Sequence, residues 1–288
     1  MLVFNKESMR RFAMVLGSAL VSTLLSPSMG QPVFDNDAAQ APGSVDLICS
    51  EGRIICVSRS VAHSLISNPL RIDVYVNSPD EIEVDWEIDD GTGQVLESSS
   101  TYDYPDTRTR DSSPTKILRV QDFIFTPAKS EGGTLILRPS RYTVATGKVD
   151  LTDIKIPVRL TTATTLVTTM EPEDPQAIGT AVIERTNSND PSEFDPKLKL
   201  VPHQDTIMRI GDDAIIGATA EAVLRSGGGG QSPWHVTDWH QEGNTAHVKI
   251  AGDGWAGVSY YLMEVEYLIR KSVLNLPGIE KFVFDPRQ

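Results

Sequence analysis

Carboxylates are the side chains with the most evident chemical potential in this sequence. Glu81, Glu83, Asp85, Glu87 and Asp89, here called the acidic stripe, occupy every second position of one strand-like segment. Alternate residues of a β-strand share one face, so these acids would line a single surface. Such a surface is suited to acid–base catalysis or to a hard cation. The alternative, which we favour, is the solvated face of a sheet whose charges oppose aggregation.

A second acidic pair, Asp212 and Asp213, precedes a helix-like segment. Together with Glu83 and Asp85 it would supply the acid and the base of an exported hydrolase acting on glycan or peptide. Acidic residues also gather at helix N-termini because they complement the helix dipole. The pair therefore has a structural explanation beside the catalytic one.

Three tryptophans are the candidate ligand-binding residues: Trp234, Trp239 and Trp255. Their rings could stack on sugars, although tryptophans more often cover a core. His235 and His240 lie beside the first two rings, and five residues do not align on one helix face. No carboxylate completes a metal-ligand spacing there. We therefore predict loop histidines beside packing aromatics, and no metal site.

No other motif in the sequence indicates a reaction centre. The sequence contains no G-x-S-x-G elbow, no H-E-x-x-H motif and no phosphate loop, because its glycine run is not followed by Lys and Ser or Thr. We expect no catalytic residues and no cofactor, and hence a protein that is not an enzyme. The 39 acidic and 26 basic residues give a net charge of -13, which argues against a nucleic-acid partner.

The first 44 residues have the composition of an export segment and a linker. Residues 1–30 combine a basic start, an apolar run of signal-peptide length and small residues before a cut. Residues 31–44 are rich in Asp, Ala, Pro and Gly, which is typical of a linker. We expect an extracytoplasmic protein, secreted or in the periplasm or cell envelope, with no transmembrane span after cleavage. A retained membrane anchor is the alternative.

Two cysteines, Cys49 and Cys56, flank a short polar turn between apolar runs. A four-residue loop would place them opposite each other across a hairpin, at a distance that a disulfide can bridge. Export into an oxidising compartment permits that bond. A redox or metal pair is the weaker alternative, since the spacing is not C-x-x-C and no further Cys completes a zinc site.

Hydrophobic periodicity predicts two domains. Between residues 45 and 161, short segments with period-two alternation and turn signals predict an antiparallel sandwich, as in residues 70–76, 81–89, 94–97, 117–125, 133–139 and 153–161. Pro-, Asp- and Glu-rich residues mark a boundary at about 162–176. Residues 176–288 then predict helices over 213–225 and from Ser259, with strands at 246–250 and 279–284. That order indicates an α/β or α+β domain.

Two families resemble these domains. The second domain resembles the GerMN domain of spore-germination and sporulation proteins over residues 214–224, 244–250, 265–269 and 278–284. The first is similar to the immunoglobulin-like Gmad2 domain over residues 67–72, 86–91, 95–96 and 133–135. In that pairing Gmad2 usually follows GerMN, whereas here the sandwich comes first. The resemblance implies a mainly β, immunoglobulin-like N-terminal sandwich followed by a GerMN-like α/β domain, and it carries over no site residues.

These observations together predict an exported, non-catalytic envelope protein that binds or positions cell-wall glycan, such as peptidoglycan, or partner proteins. The hydrolase with paired carboxylates is the alternative. A structural protein that assembles through an exposed sheet edge is a third possibility.

Overall fold

The computed structural model describes residues 46–103, 116–143, 147–184, 194–226, 234–252 and 259–286. The predicted export signal (1–30), the predicted linker (31–44) and Trp255 lie outside these ranges. Within them the protein is mainly β, with several antiparallel sheets, as the alternating segments predict.

In the described residues, nine strands build the N-terminal part, here called the sandwich. They are β1 (Leu47–Cys49), β2 (Ile55–Ser58), β3 (Leu70–Val76), β4 (Glu81–Asp89), β5 (Val95–Asp103), β6 (Lys116–Asp122), β7 (Gly132–Thr143), β8 (Gly147–Asp150) and β9 (Ile154–Arg159). One sheet has the order β1-β2-β3-β6, and the other has the order β5-β4-β7-β8, with β9 also paired to β7. Their apolar faces meet in one core, to which both sheets contribute.

Strand β4 shows why the two sheets pack together. Ile82, Val84, Trp86 and Ile88 alternate along it and are all buried in the core, as their spacing predicts. Glycines with positive φ then turn the chain, and β5 returns antiparallel to β4. The acids between the apolar residues therefore point to the opposite face of the sheet.

The predicted cysteine hairpin is confirmed, including its register. Cys49 pairs with Cys56 across β1 and β2, and the two sulfurs form a disulfide. Ser50 N–H donates to the carbonyl of Ile55 at 2.9 Å, which closes the four-residue loop between them. The covalent bond therefore secures the first hairpin at the edge of its sheet.

The C-terminal part mixes helices with two smaller sheets. Its elements are β10 (Thr164–Pro172), α1 (Pro175–Glu184), β11 (Leu200–Met208), α2 (Ile215–Ser226), β12 (Trp234–Glu242), β13 (Thr245–Gly252), α3 (Ser259–Leu274) and β14 (Lys281–Pro286). β10 and β11 form an antiparallel ribbon, whereas β12, β13 and β14 form a three-stranded sheet. β13 and β14 are parallel and α3 connects them, because a parallel pair needs a crossover.

Several C-terminal elements differ from the sequence-based expectation. The segment expected to hold a boundary, residues 162–176, contains strand β10 and the start of α1. His235 and His240 were expected in loops, yet both lie on strand β12. That strand carries a β-bulge between Val236 and Asp238, which breaks the period-two pattern. The predicted helices and the last two predicted strands are present with boundaries shifted by a few residues.

The sandwich and the C-terminal part belong to one compact unit. The side chain of Asn68 donates to the carbonyls of Ile124 at 3.0 Å and Met208 at 2.7 Å, and so ties the segment before β3 to the end of β11. Phe123 shares a small apolar cluster with Val167 and Ile207 of the ribbon. None of the helices in the described ranges is long and apolar enough to cross a membrane.

Candidate functional site

Charged side chains converge where the sandwich meets the C-terminal part. The group, here called the junction cluster, consists of Glu97 on β5, Asp122 at the end of β6, Glu221 and Arg225 on α2, and His235 on β12. Four elements from both parts of the chain thus supply three carboxylates, one guanidinium and one imidazole.

Helix α2 positions two members of the cluster. Residues 216–224 of this helix are all buried, so the helix is enclosed on every side. Glu221 and Arg225 stand one turn apart and therefore share a face. A carboxylate in such surroundings has to be paired, because burying an unpaired charge is very unfavourable.

Arg225 is the cation at the centre of the cluster. Its Nη1 lies 3.0 Å from Oε2 of Glu97, and its Nη2 lies 3.4 Å from Oδ1 of Asp122. Its Nε is 3.9 Å from Oε1 of Glu221, which is an ion-pair distance rather than a hydrogen bond. Its guanidinium carbon sits 4.6 Å from the ring centroid of Phe125, in a cation–π contact. The guanidinium therefore contacts three carboxylates, and its shortest ion pair is with Glu97.

Backbone N–H groups hold two of the carboxylates in place. Val236 N–H donates to Oε2 of Glu221 at 2.7 Å, and Phe123 N–H donates to Oδ1 of Asp122 at 2.7 Å. Because charge-assisted bonds of this length are strong, both carboxylates are fixed in orientation. The contact from Val236 also satisfies a donor on strand β12, which is at the edge of its sheet.

His235 faces the same carboxylate. Its Nδ1 lies 3.7 Å from Oε1 of Glu221, too far for a hydrogen bond, and this buried atom has no hydrogen-bond partner. The side chain as a whole is 40% exposed. One side of the imidazole therefore faces solvent, and the other side faces the buried carboxylate of Glu221.

Burial and mutual repulsion change the titration of this group. Asp122 is only 5% exposed, and its burial, reinforced by Glu221, raises its pKa to about 7 although Arg225 opposes the shift. Glu221 also raises the pKa of His235 by favouring the imidazolium, against the effect of burial. The pKa shift at Asp122 thus comes mainly from burial, and the pKa shift at His235 comes mainly from the neighbouring carboxylate of Glu221.

Strand β12 meets the sandwich next to the cluster. Gln121 Nε2 donates to the carbonyl of Val236 at 3.4 Å and to that of Thr237 at 3.1 Å, at the bulge. The shorter of the two contacts reaches Thr237, the residue that the bulge leaves out of the register. Hydrogen bonds as well as charges therefore join the two parts at this point.

The tryptophans expected to bind a ligand occupy packed positions. Trp234 is 5% exposed and belongs to the C-terminal core. Trp239 packs against Phe123, with ring centroids 5.1 Å apart, and the guanidinium of Arg71 lies 4.7 Å from its ring. Its Nε1–H donates to the carbonyl of Asp213 at 3.1 Å. Both described rings are therefore used in packing, and the third, Trp255, lies outside the described residues.

The acidic stripe is more closely paired than a purely solvated face. Glu83 is buried, and it accepts hydrogen bonds from Lys148 at 2.7 Å and Tyr142 at 2.8 Å. Glu87 forms a 3.0 Å ion pair with Arg138. Cross-strand neighbours on β7 and β8 thus neutralise the stripe at these two positions.

The other carboxylates considered for hydrolysis stand apart from the junction cluster. Asp85 accepts a hydrogen bond from Ser100 across β4 and β5. Asp212 and Asp213 are exposed in a 3-10 turn that precedes α2. That position is where the helix dipole favours negative charge. The structure does not place these acids in the cluster.

The sequence pattern does not single out Glu97, Asp122, Glu221 or Arg225 as functional candidates, and it predicts a loop at His235. One signal was available: Glu221 is the only charged residue within the apolar run 214–224. A charge enclosed by such a run indicates a partner from elsewhere in the fold. The pattern does not say which residue that partner is.

No protein-family model, no curated protein and no solved structure matches this chain.

Proposed function

We propose that this protein is exported and acts without catalysis in the cell envelope, where it binds or positions peptidoglycan or partner proteins. In this proposal the sandwich is an immunoglobulin-like, Gmad2-like domain and the C-terminal part is a GerMN-like domain of the sporulation and germination type. The observation that carries the proposal is the coupling of the two parts by a buried junction, which suits a module that holds its surfaces in a fixed arrangement.

The disulfide supports the extracytoplasmic location. Cys49 and Cys56 form a bond that persists in oxidising compartments and is rare in the reducing cytosol. A direct test is maleimide labelling of the full chain in intact cells, followed by labelling after reduction. Export predicts that both thiols react only after the reductant is added. Thiols that react without it place the chain in the cytoplasm and contradict the proposal.

Engagement of charged groups in the fold supports a binding role. Glu83, Glu87 and Glu97 each lie against a Lys or Arg side chain. These carboxylates stabilise contacts between strands, or between the two parts of the chain. The surfaces that remain for a partner are the exposed sheet faces and strand edges.

A pull-down separates the two kinds of partner. The exported protein is incubated with purified cell wall and, separately, with an envelope extract. Retention on cell wall that soluble wall fragments compete away indicates a glycan ligand, and retention only from the extract indicates a protein partner. The proposal fails if neither preparation retains the protein.

A further inference from the structure

We infer that the junction cluster binds a divalent transition-metal ion, with one oxygen of Asp122, one oxygen of Glu221 and Nδ1 of His235 as its ligands. This inference goes beyond the proposed function, because it assigns to the junction a ligand that the binding of envelope components does not require.

The first argument for the metal site is that its three ligands lie close together. One potential ligand atom from each of these residues lies within 4.8 Å of the others. Zinc–oxygen and zinc–nitrogen bonds of about 2.0–2.2 Å bring tetrahedral ligands to roughly 3.5 Å from each other. The distances between the ligand atoms therefore need to shorten by about 1 Å, which is within the range of rotamer adjustment. The three ligands come from β6, α2 and β12, so the ion would connect the sandwich to the C-terminal part.

The charges in the cluster provide the second step. Three carboxylates, Glu97, Asp122 and Glu221, face a single guanidinium, that of Arg225. Arg225 is closest to Glu97, at 3.0 Å, and balances one negative charge. Beyond this guanidinium, the ion pairs of Asp122 and Glu221 within the described residues include only one further group, the imidazole of His235 beside Glu221, and both carboxylates are buried, where uncompensated charge is strongly unfavourable. A divalent cation supplies the charge that this arrangement lacks.

The imidazole of His235 provides the independent observation. Its Nδ1 atom is buried, points to Oε1 of Glu221 at 3.7 Å and has no hydrogen-bond partner. A metal ion between these two atoms would satisfy both. The exposed part of the ring gives an ion and its coordinating water a route from solvent. One imidazole with two carboxylates favours Zn²⁺ or another transition metal over Mg²⁺ and Ca²⁺, which prefer oxygen ligands alone.

The carboxylates are already supported as metal ligands are. Backbone N–H groups of Val236 and Phe123 hold Glu221 and Asp122 through oxygens of the same carboxylates. Outer hydrogen bonds of this kind orient ligands and strengthen metal binding. Arg225 is the competing cation, and a network of ion pairs without a metal is the outcome that the experiment must distinguish.

The test uses the full chain after treatment with EDTA and its removal. Titration with Zn²⁺ at pH 7.5, followed by calorimetry, measures affinity and stoichiometry, and thermal unfolding with and without Zn²⁺ measures stabilisation. We expect one ion per chain at the junction and a higher Tm, because the ion binds the folded state. Mg²⁺ and Ca²⁺ should bind at least ten-fold more weakly.

Two variants identify the site. His235→Gln removes a partly exposed ligand, so it should fold, and it should weaken Zn²⁺ binding at least ten-fold and abolish the Tm shift. His240→Gln/His247→Gln is the matched control. These two rings stack on the outside of the sheet with centroids 4.4 Å apart and could bind Zn²⁺ without any role for the junction. This control should keep the wild-type affinity.

Three results would overturn the inference. They are no binding of Zn²⁺ by the wild type, unchanged binding by His235→Gln, and loss of binding in the His240→Gln/His247→Gln control. Any of these leaves the junction cluster as an ion-pair network. The pull-down described above is independent of all three, so failure of the metal site and failure of the envelope role can be told apart.

Discussion

The acidic stripe and the junction cluster are both rich in carboxylates, but they differ in how those carboxylates are neutralised. On the stripe, Glu83 pairs with Lys148 at 2.7 Å and Glu87 pairs with Arg138 at 3.0 Å. In the junction cluster, three carboxylates contact the same guanidinium, that of Arg225. Among the described residues, no other Lys or Arg side chain forms an ion pair with them. Two of the five acids of the stripe thus have a cation of their own, whereas the three carboxylates of the cluster share one guanidinium, with the imidazole of His235 beside them.

The difference shows what burial does to a group of acids. The ion pair of Glu87 with Arg138 is partly exposed, so it is screened by solvent and contributes little to stability. Charges enclosed between two parts of a chain must find a counter-charge, a proton or a cation. The carboxylates of the junction cluster are far apart in the sequence, yet they have the stronger need for a counter-charge, a proton or a cation.

Removing the counter-charges should separate the two regions most clearly. Arg225→Met leaves three carboxylates without their cation, and we expect the free energy of unfolding to fall by about 3–5 kcal/mol. Arg138→Met is the matched control on the acidic stripe, where the loss should be under about 1 kcal/mol. Urea unfolding monitored by circular dichroism measures both. Equal losses would remove the distinction between the regions.

Removing the disulfide should cause an intermediate loss in the free energy of unfolding, and this loss involves no charge. Replacing Cys49 and Cys56 together by Ser should lower the free energy of unfolding by about 2–3 kcal/mol, because the bond restricts a short loop in the unfolded chain. The loss should be the same at low and high salt, since no ion pair is involved. A loss that disappears at high salt would show that the hairpin affects the charged regions instead.

The packing of Trp239 on α2 should produce the smallest of these losses. A Cβ atom at Gly217 would overlap the ring of Trp239, so Gly217→Ala forces the ring to move. We expect a loss of about 1–2 kcal/mol from overpacking at the junction.

Gly179→Ala on α1 is the control, because its Cβ would meet no atom within 4 Å. Alanine is the better helix former, so this variant should gain about 0.5–1 kcal/mol. Thermal unfolding of the two variants gives the comparison. A neutral Gly217→Ala would mean that Trp239 is free to leave the junction, and would restore it as a candidate for ligand stacking.

The local sequence pattern was sufficient to predict much of the sandwich. The alternation in β4 gave its inward face correctly, and the spacing of Cys49 and Cys56 gave both the hairpin and its register. In each case the information lies within a few consecutive residues, where period and turn chemistry act directly.

Elements whose pattern is interrupted were missed. The bulge after Val236 shifts the period of β12, so that Trp234 and Trp239 both face the interior although five residues separate them. β10 was hidden because the Pro- and acid-rich residues at its end suggested a boundary. The junction cluster could not be found from local pattern at all, because Asp122 and Arg225 meet only after both parts of the chain have folded.

The most direct test of the account measures the charge state of Asp122 itself. In protein kept free of metal by EDTA, the carboxyl ¹³C resonance of Asp122 is followed from acidic to alkaline pH and assigned by its loss in Asp122→Asn. We expect it to titrate with a pKa of about 7. A raised pKa means that Asp122 contributes stability below the ordinary value of 3.8, and that this contribution is lost as the pH rises through about 7. A resonance that titrates near 3.8 instead would show that the junction holds no uncompensated buried charge, and would contradict the account.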